Sequence, residues 1–531
     1  MWEKLRKIKF VNIFWSLFYG LIFLVLLNNG FNYLDPDLGW HLKVGQEISL
    51  NRQVPSVNHY NYTYTGNWVD HEWLSDLLSY LAFNNWGYEF LVFFFAALIT
   101  LTFIILNIFV SKKLSDKTLF PFIAIFQLLG IFASLPHFGV RMQGFGVLFL
   151  LLLLIIIDLY DRRGEKRYLF FLPLIFLFWA NLHASFILGL FICFAWLGIR
   201  IGERLLLLAK NRLHFLKLDK VLSADKIKHF FYFTLLSLGA TLINPYTYKL
   251  YSFLGGYKNR AYLSLIQEWL PQYRFPLHYD QLIYLALGAV VLLFTIYQAL
   301  KKQNKIELWP FFLTFLFLIL SFKSKRHFPL FVIASFLPLI SFYGNFFKGL
   351  NIKGYQHLLR GLVILCLLLV GLSQALSINF IKQPFTSFCG NYPCQAVEFI
   401  KNNNEYQQSN LLNAYDWGGF LIWTMPEKKI FIDGRLPQVK YANKTFIEEY
   451  RRFFKEKEDK TSLLNQYNID LVLIRTKEEP LQLKKWEKVF FQIKSEKLNA
   501  KNYLRDYLEA SSEWKQVYQD KTASIYERLS L

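Results

Sequence analysis

Charge is what this chain of 531 residues has least of. Only 18% of its residues are Asp, Glu, Lys or Arg, against about 25% in an ordinary soluble domain. Other things are missing too. No Walker-type glycine loop is present, which argues against an ATP-driven pump. No His-x-x-x-His pair occurs, which argues against a zinc site. There is no nucleic-acid motif, no internal repeat and no low-complexity linker. The basic start (Lys4, Arg6, Lys7, Lys9) leads into an apolar run too long for a signal peptide, with no small-residue cleavage site. Cysteine is scarce: Cys193 and Cys366 lie in apolar runs and read as small buried hydrophobes. Cys389 and Cys394 would close a small disulfide loop if their segment is extracytoplasmic.

What the chain does have is apolar sequence, 54% of it, in blocks of bilayer-spanning length. About 20 apolar residues cross a bilayer, which gives roughly eleven spans. They fall near 11–29, 90–110, 118–135, 139–160, 168–182, 185–207, 229–243, 280–299, 307–322, 327–344 and 357–377. The net charge of +21 is then a matter of topology. Alternate loops are basic: Lys112, Lys113 and Lys117; Arg162, Arg163, Lys166 and Arg167; Lys210, Arg212, Lys217, Lys220, Lys226 and Lys228; Lys301, Lys302 and Lys305; Lys348 and Lys353. The positive-inside rule puts these and the N-terminus inside. Loop 30–88, loop 244–279 and everything after 378 go outside.

The expected architecture is an α-helical polytopic membrane module, 1–377, followed by an extracytoplasmic α/β domain, 378–531. In that domain Asn410–Ala414, Lys429–Ile432 and Leu471–Ile474 read as strands. Ala396–Asn402, Phe446–Lys455 and Thr461–Tyr467 read as helices, and Trp514–Gln519 with Ala523–Glu527 as a hairpin. In the first loop, Asp37 and Asp70 are placed to cap two amphipathic helices.

That loop holds the candidate chemistry. Its runs are Asp35-Pro36-Asp37-Leu38-Gly39-Trp40-His41 and Trp68-Val69-Asp70-His71-Glu72-Trp73. Asp37 and Asp70 have an inexpensive structural reading as caps. Asp35, cut off from the helix by Pro36, does not, and is the first candidate for a general base. Asp35 and Asp37 could also share a divalent cation such as Mg or Mn. Further polar groups stand at outer ends of spans: Arg141, Asn181 and His183, and Arg326 with His327 after Lys323 and Lys325. Arginine suits phosphate, whereas the lysines read as snorkelling to headgroups. Asn244-Pro245-Tyr246, Gln267-Glu268-Trp269, Tyr415-Asp416-Trp417-Gly418-Gly419 and Asp433-Gly434-Arg435 read first as helix stop, interfacial anchor and turns.

These motifs together resemble the GT-C superfamily of integral-membrane glycosyltransferases, and bacterial members in particular. The resemblance covers most of the chain. It implies a multi-span core in the bacterial cytoplasmic membrane, a catalytic acid in the first outer loop (Asp35 or Asp37), and donors that are polyprenyl-phosphate- or diphosphate-linked sugars. The expected reaction moves a sugar, with inversion, to a hydroxyl on a glycan, lipid or protein. His41, Asp70, His71, Glu72, Arg141, His183, Arg326 and His327 would bind substrate. The chain departs from oligosaccharyltransferases in lacking a Trp-Trp-Asp motif after 378, which argues against protein N-glycosylation. A transporter, flippase or assembly scaffold is the rival class.

Overall fold

Proline and glycine set the boundaries near the polar loop. The structure, a computed structural model, describes residues 2–114, 116, 119–208, 216, 221–256, 260–301, 305–349, 355–437, 439–441, 444–455, 458–477, 483–490 and 502–529. Lys117, Lys210, Arg212, Lys217, Lys220, Lys302 and Lys353, which enter the charge argument, lie outside the described residues. Helix α1 (Trp2–Asn32) ends shortly before Pro36. Helix α2 (Leu38–Asn51) starts once the Asp35 carbonyl accepts the Leu38 N–H at 3.2 Å. Helix α3 (Trp73–Leu114) is two arms broken at Gly87, whose φ of 78° strains any residue with a side chain. The expected short helix after Asp70 and the span near 90–110 are those two arms.

The bundle continues with α4 (Phe120–Ser134), α5 (Gln143–Arg163), α6 (Phe171–Leu182), α7 (Phe186–Leu208) and α8 (Ala224–Thr241). After short α9 (Lys249–Gly255) and α10 (Arg260–Leu265) come α11 (Tyr279–Leu300), α12 (Leu308–Lys323), α13 (Phe328–Gly349) and α14 (Tyr355–Ala375). Each expected span is a helix. Among the described residues seven are long and apolar enough to cross a membrane: α1, α3, α4, α5, α7, α11 and α13. Helix α12 is apolar but shorter, and α6 has only 12 residues. This is an integral membrane protein. Cys193 is buried as expected, but Cys366 is exposed on α14, because an apolar run in a membrane helix also supplies its outer face.

The C-terminal region holds α15 (Pro384–Ser387), α16 (Cys394–Asn402), α17 (Asn404–Gln408), β1 (Leu411–Asn413), α18 (Gly418–Thr424), β2 (Lys440–Tyr441) and β3 (Lys444–Thr445). It continues with α19 (Phe446–Arg452), α20 (Lys460–Gln466), β4 (Leu471–Arg475), α21 (Lys485–Phe490), α22 (Tyr503–Ala510), β5 (Trp514–Gln519) and β6 (Ala523–Arg528). The sheet runs β1-β4-β6-β5, with β1 parallel to β4 and the other pairs antiparallel. Cys389 and Cys394 are disulfide-bonded. The strand expected at Lys429–Ile432 does not form. Ile430 keeps isolated parallel bridges to Leu411 and to Asn61, donating its N–H to Tyr60 at 3.0 Å and accepting from Tyr62 at 3.4 Å, so the segment lies between β1 and loop 30–88.

Alternation along β4 divides the apolar side chains. Val472 and Ile474 face a core of their own with Phe431, Phe446 and Tyr526. Leu471 and Leu473 face the other way, into the core that runs on through Trp417, Phe420, Leu38 and Trp40 to the helix bundle. The C-terminal region is therefore packed onto the first loop rather than tethered beside it.

Candidate functional site

The site gathers where α1, α3, α6 and the loops between α4 and α5, α10 and α11, and α12 and α13 meet at one end of the bundle. Asp35 has two structural duties that its sequence did not suggest. Its Oδ1 accepts the Asp37 N–H at 2.8 Å, and its Oδ2 lies 2.5 Å from Nε of buried Arg141. Pro36 does not isolate Asp35 from α2. It folds the chain so that Asp35, not Asp37, supports the helix start. Asp37 sits at the cap position but makes no side-chain cap bond. Its carboxylate accepts the Trp40 indole N–H at 2.9 Å instead.

Arg141 is the hub of a charged knot. It also pairs with Glu268 and donates to the Tyr33 hydroxyl at 3.1 Å. Glu268 holds Arg326 at 3.4 Å, and the Arg326 guanidinium lies over Trp269, against which His327 also packs edge-on. Burial alone would raise the Glu268 pKa, but Arg141 and Arg326 overcome it and hold the carboxyl at about 2. Arg141 is thus already neutralised by two acids, and Arg326 is the guanidinium left nearer to solvent, at 29% side-chain exposure.

The second locus centres on buried Glu72. The Nε2 atoms of His183, His71 and His41 lie 3.4, 3.5 and 3.9 Å from its carboxylate oxygens. His41 is oriented from behind: its Nδ1 lies 2.6 Å from Oδ1 of Asp76, which is fully buried, and Trp40 covers the ring at 3.6 Å between centroids. Burial pushes the Glu72 pKa up to about 7 against the pull of His41 and Arg326. Burial, with Arg326 and the neighbouring imidazoles adding to it, keeps His71 (down at about 3) and His183 neutral. Asp70 is also buried, and both burial and Asp76 raise its pKa. Its N–H is fixed by the Tyr246 hydroxyl at 3.1 Å, while its Oδ1 accepts the Glu72 N–H at 3.1 Å.

Asp37 stands between the two loci. Burial first, then the like charge of Asp35, push it up to about 6, while His41 and Glu268 also act on it. The C-terminal region closes over this acid. A Cβ on Gly434 would lie 2.0 Å from the Asp37 carboxylate, and one on Gly419 would lie 2.2 Å from the Pro36 carbonyl. Gly434 and Gly419 are there for backbone approach to the first loop, not for an isolated turn, while Gly418 lies against Asp433 within the C-terminal region. Buried Arg435 locks this junction. It forms two 2.8 Å bonds to Asp433 and one of 3.1 Å to Asn61, between the rings of Tyr60 and Trp68.

Several sequence expectations change. Asp35 and Asp37 turn their carboxylates to different partners, Arg141 and Trp40. Among the described residues no three His, Cys, Asp or Glu groups are arranged to hold a metal ion. Lys325 does not snorkel: it is buried and donates to the carbonyls of Arg274 and Pro276 at 2.9 and 2.6 Å. Asn181 braces Trp73 at 2.7 Å and serves the scaffold. Glu268 and Asp76 are the members that sequence reasoning missed. Each had a signal: Glu268 is an acid in an outer loop between basic groups, and Asp76 is four residues after Glu72 on one helical face.

A bundle of membrane helices, an acidic first loop at its end and a sheet domain closing over that loop make up a fold of the GT-C type, shared with solved membrane proteins. Its solved neighbours include structures of an Archaeoglobus fulgidus oligosaccharyltransferase. The apo form is 9% identical at a TM-score of 0.51, covering 87% of this chain and 69% of that one. A form tethered to an acceptor peptide containing the NVT sequon is 10% identical at 0.53, covering 87% and 68%. The enzyme AglB with an inhibitory peptide and a dolichol-phosphate is 11% identical at 0.52, covering 87% and 69%. Likeness at this identity establishes the fold. No protein-family model and no curated protein matches the chain.

Proposed function

We propose that this protein transfers a sugar from a polyprenyl-phosphate-linked donor to an acceptor hydroxyl, with inversion, at the membrane surface. The observation that carries the reading is Asp37: a partly accessible carboxyl raised to about 6, set between a fixed ion-pair network and the imidazoles around Glu72. That pKa suits a general base near neutral pH. Asp37 takes the proton of the acceptor hydroxyl as its oxygen bonds the anomeric carbon. The bond from that carbon to the phosphate oxygen breaks, and the phosphate leaves with the electron pair. The leaving group needs positive charge rather than an acid, and Arg326 is placed to supply it. Arg141, already compensated, sets the position of Asp35 and Glu268. The dolichol-phosphate bound by the AglB neighbour supports a lipid-phosphate donor.

The reading includes an N-terminus inside the bacterial cytoplasmic membrane, with the site and the region after 378 outside, on the charge alternation of the loops. The decisive experiment incubates purified protein with a synthetic polyprenyl-phosphate sugar and a panel of hydroxyl acceptors. Transfer with inverted anomeric configuration is expected; retention would overturn the single-displacement reading. An alkaline phosphatase fusion after Leu531 should be active, and a stable but inactive fusion would reverse the orientation.

A further inference from the structure

The short helix α21 serves no part of the site, yet its surface is unusual for a domain that stands in water. Trp486, Val489 and Phe490 are 50%, 78% and 75% exposed. Their spacing of three and four residues puts them on one helical face. Lys484, Lys485 and Lys488 surround them. Glu487 points the other way and is buried, where it accepts hydrogen bonds from the Tyr279 hydroxyl and the Lys484 N–H. The Trp486 ring lies 5.1 Å from that of Tyr279, and the Lys484 ammonium lies over the same ring at 5.3 Å.

Tyr279 gives this patch its place. It is the first residue of α11, which is long and apolar enough to cross a membrane. Ile283, Val290, Leu293, Tyr297 and Leu300 are exposed along α11 at spacings that keep them on the face beneath Tyr279. On a membrane-crossing helix an exposed apolar stripe is the side that meets lipid, and α21 sits at the Tyr279 end of this one. Nearby, exposed Tyr273 and Phe322 pair at 5.7 Å where α12 ends, as aromatics do at a membrane–water boundary.

We propose that α21 is an interfacial anchor. Trp486, Val489 and Phe490 enter the boundary of the leaflet on the site's side, and Lys484, Lys485 and Lys488 engage the phosphates of anionic phospholipids. The partner is the bilayer itself. Apolar residues on one face with lysines around them fit the chemistry of such a surface, and each lysine near it is worth roughly fivefold in binding to anionic lipid. The anchor ties the C-terminal region to the bilayer at the edge of α11, independently of which sugar the site uses.

The test uses the full chain in nanodiscs with a photoreactive benzoylphenylalanine replacing Phe490. The same substitution at Leu293 serves as lipid-facing reference and at Lys515 as a solvent-facing one. Phospholipid adducts at 490 should approach those at 293 and exceed those at 515. Adding phosphatidylglycerol to phosphatidylcholine discs should raise adducts at 490. The triple change K484E, K485E, K488E should lower them by about threefold or more in phosphatidylglycerol discs, with adducts at 293 unchanged as a control for folding. Adducts at 490 no higher than at 515, or crosslinks only to a second copy of the chain, would overturn the proposal. Adducts that ignore both phosphatidylglycerol and the lysine changes would overturn its electrostatic half.

Discussion

The Arg141–Glu268 knot and the Glu72 pocket are neighbours at one end of the same bundle, yet they handle charge in opposite ways. In the knot two guanidiniums meet Asp35 and Glu268, and the pairs keep Glu268 ionised down to about pH 2. In the pocket three imidazoles lie against the Glu72 carboxylate. One locus is a fixed electrostatic frame, and in the other burial lifts the Glu72 carboxyl to about 7. The difference comes from the partner, since both are acids withdrawn from water. Asp37, between them, takes the character of the pocket.

Four changes would break or sharpen that contrast. The largest effect is expected from Asp37→Asn, about 10²–10⁴-fold in kcat for loss of a general base. Asp35→Asn should cost clearly less, as a change to the frame; equal losses in sugar release would erase the distinction. Next, Glu268→Gln removes one acid from the knot. It should destabilise the protein by about 1–3 kcal/mol, the cost of leaving buried charged groups short of a partner, measured as thermal stability in detergent. Wild-type stability and lowered activity alone would move Glu268 from frame to chemistry.

Third, Asp76→Ala releases the His41 ring. Loss of a charged hydrogen bond of about 1.5 kcal/mol predicts roughly tenfold lower kcat with KM unchanged. A matching rise in KM would make His41 a binding group only. The smallest effect is on pH. Asp37 is active as the carboxylate, so kcat/KM should be maintained above its pKa and fall as pH drops through about 6. Asp35→Asn removes a like charge and should move that limb to lower pH. A limb that stays in place would show that the two acids do not sense each other.

Much of the fold was legible because its signals are local. Apolar runs of membrane length became α1, α3 and the other expected helices, and the Asp520-Lys521-Thr522 turn separated β5 from β6. A short continuous apolar run, Leu471–Ile474, marked β4. The segment expected as a strand at Lys429–Ile432 is reduced to bridges at Ile430, and one of its partners lies in the first loop, which the local sequence does not reveal. The site shows the same division. Asp35, Asp37, Asp70, Glu72, Arg141, His183 and Arg326 could be named as polar groups at span ends, but not paired. Asp35 looked free because its partner, Arg141, is 106 residues later.

The sequence by itself determined that this is a helical membrane protein with an acidic loop after its first span, because transfer of apolar side chains into a bilayer depends on composition over about 20 residues and little else. Only the tertiary structure decided which acids are held by arginine, which are left to imidazole, and that Gly434 brings the C-terminal backbone against Asp37. The reason is physical: a carboxylate's proton affinity is set by burial and by charges within a few ångströms, and those neighbours arrive from anywhere in the chain.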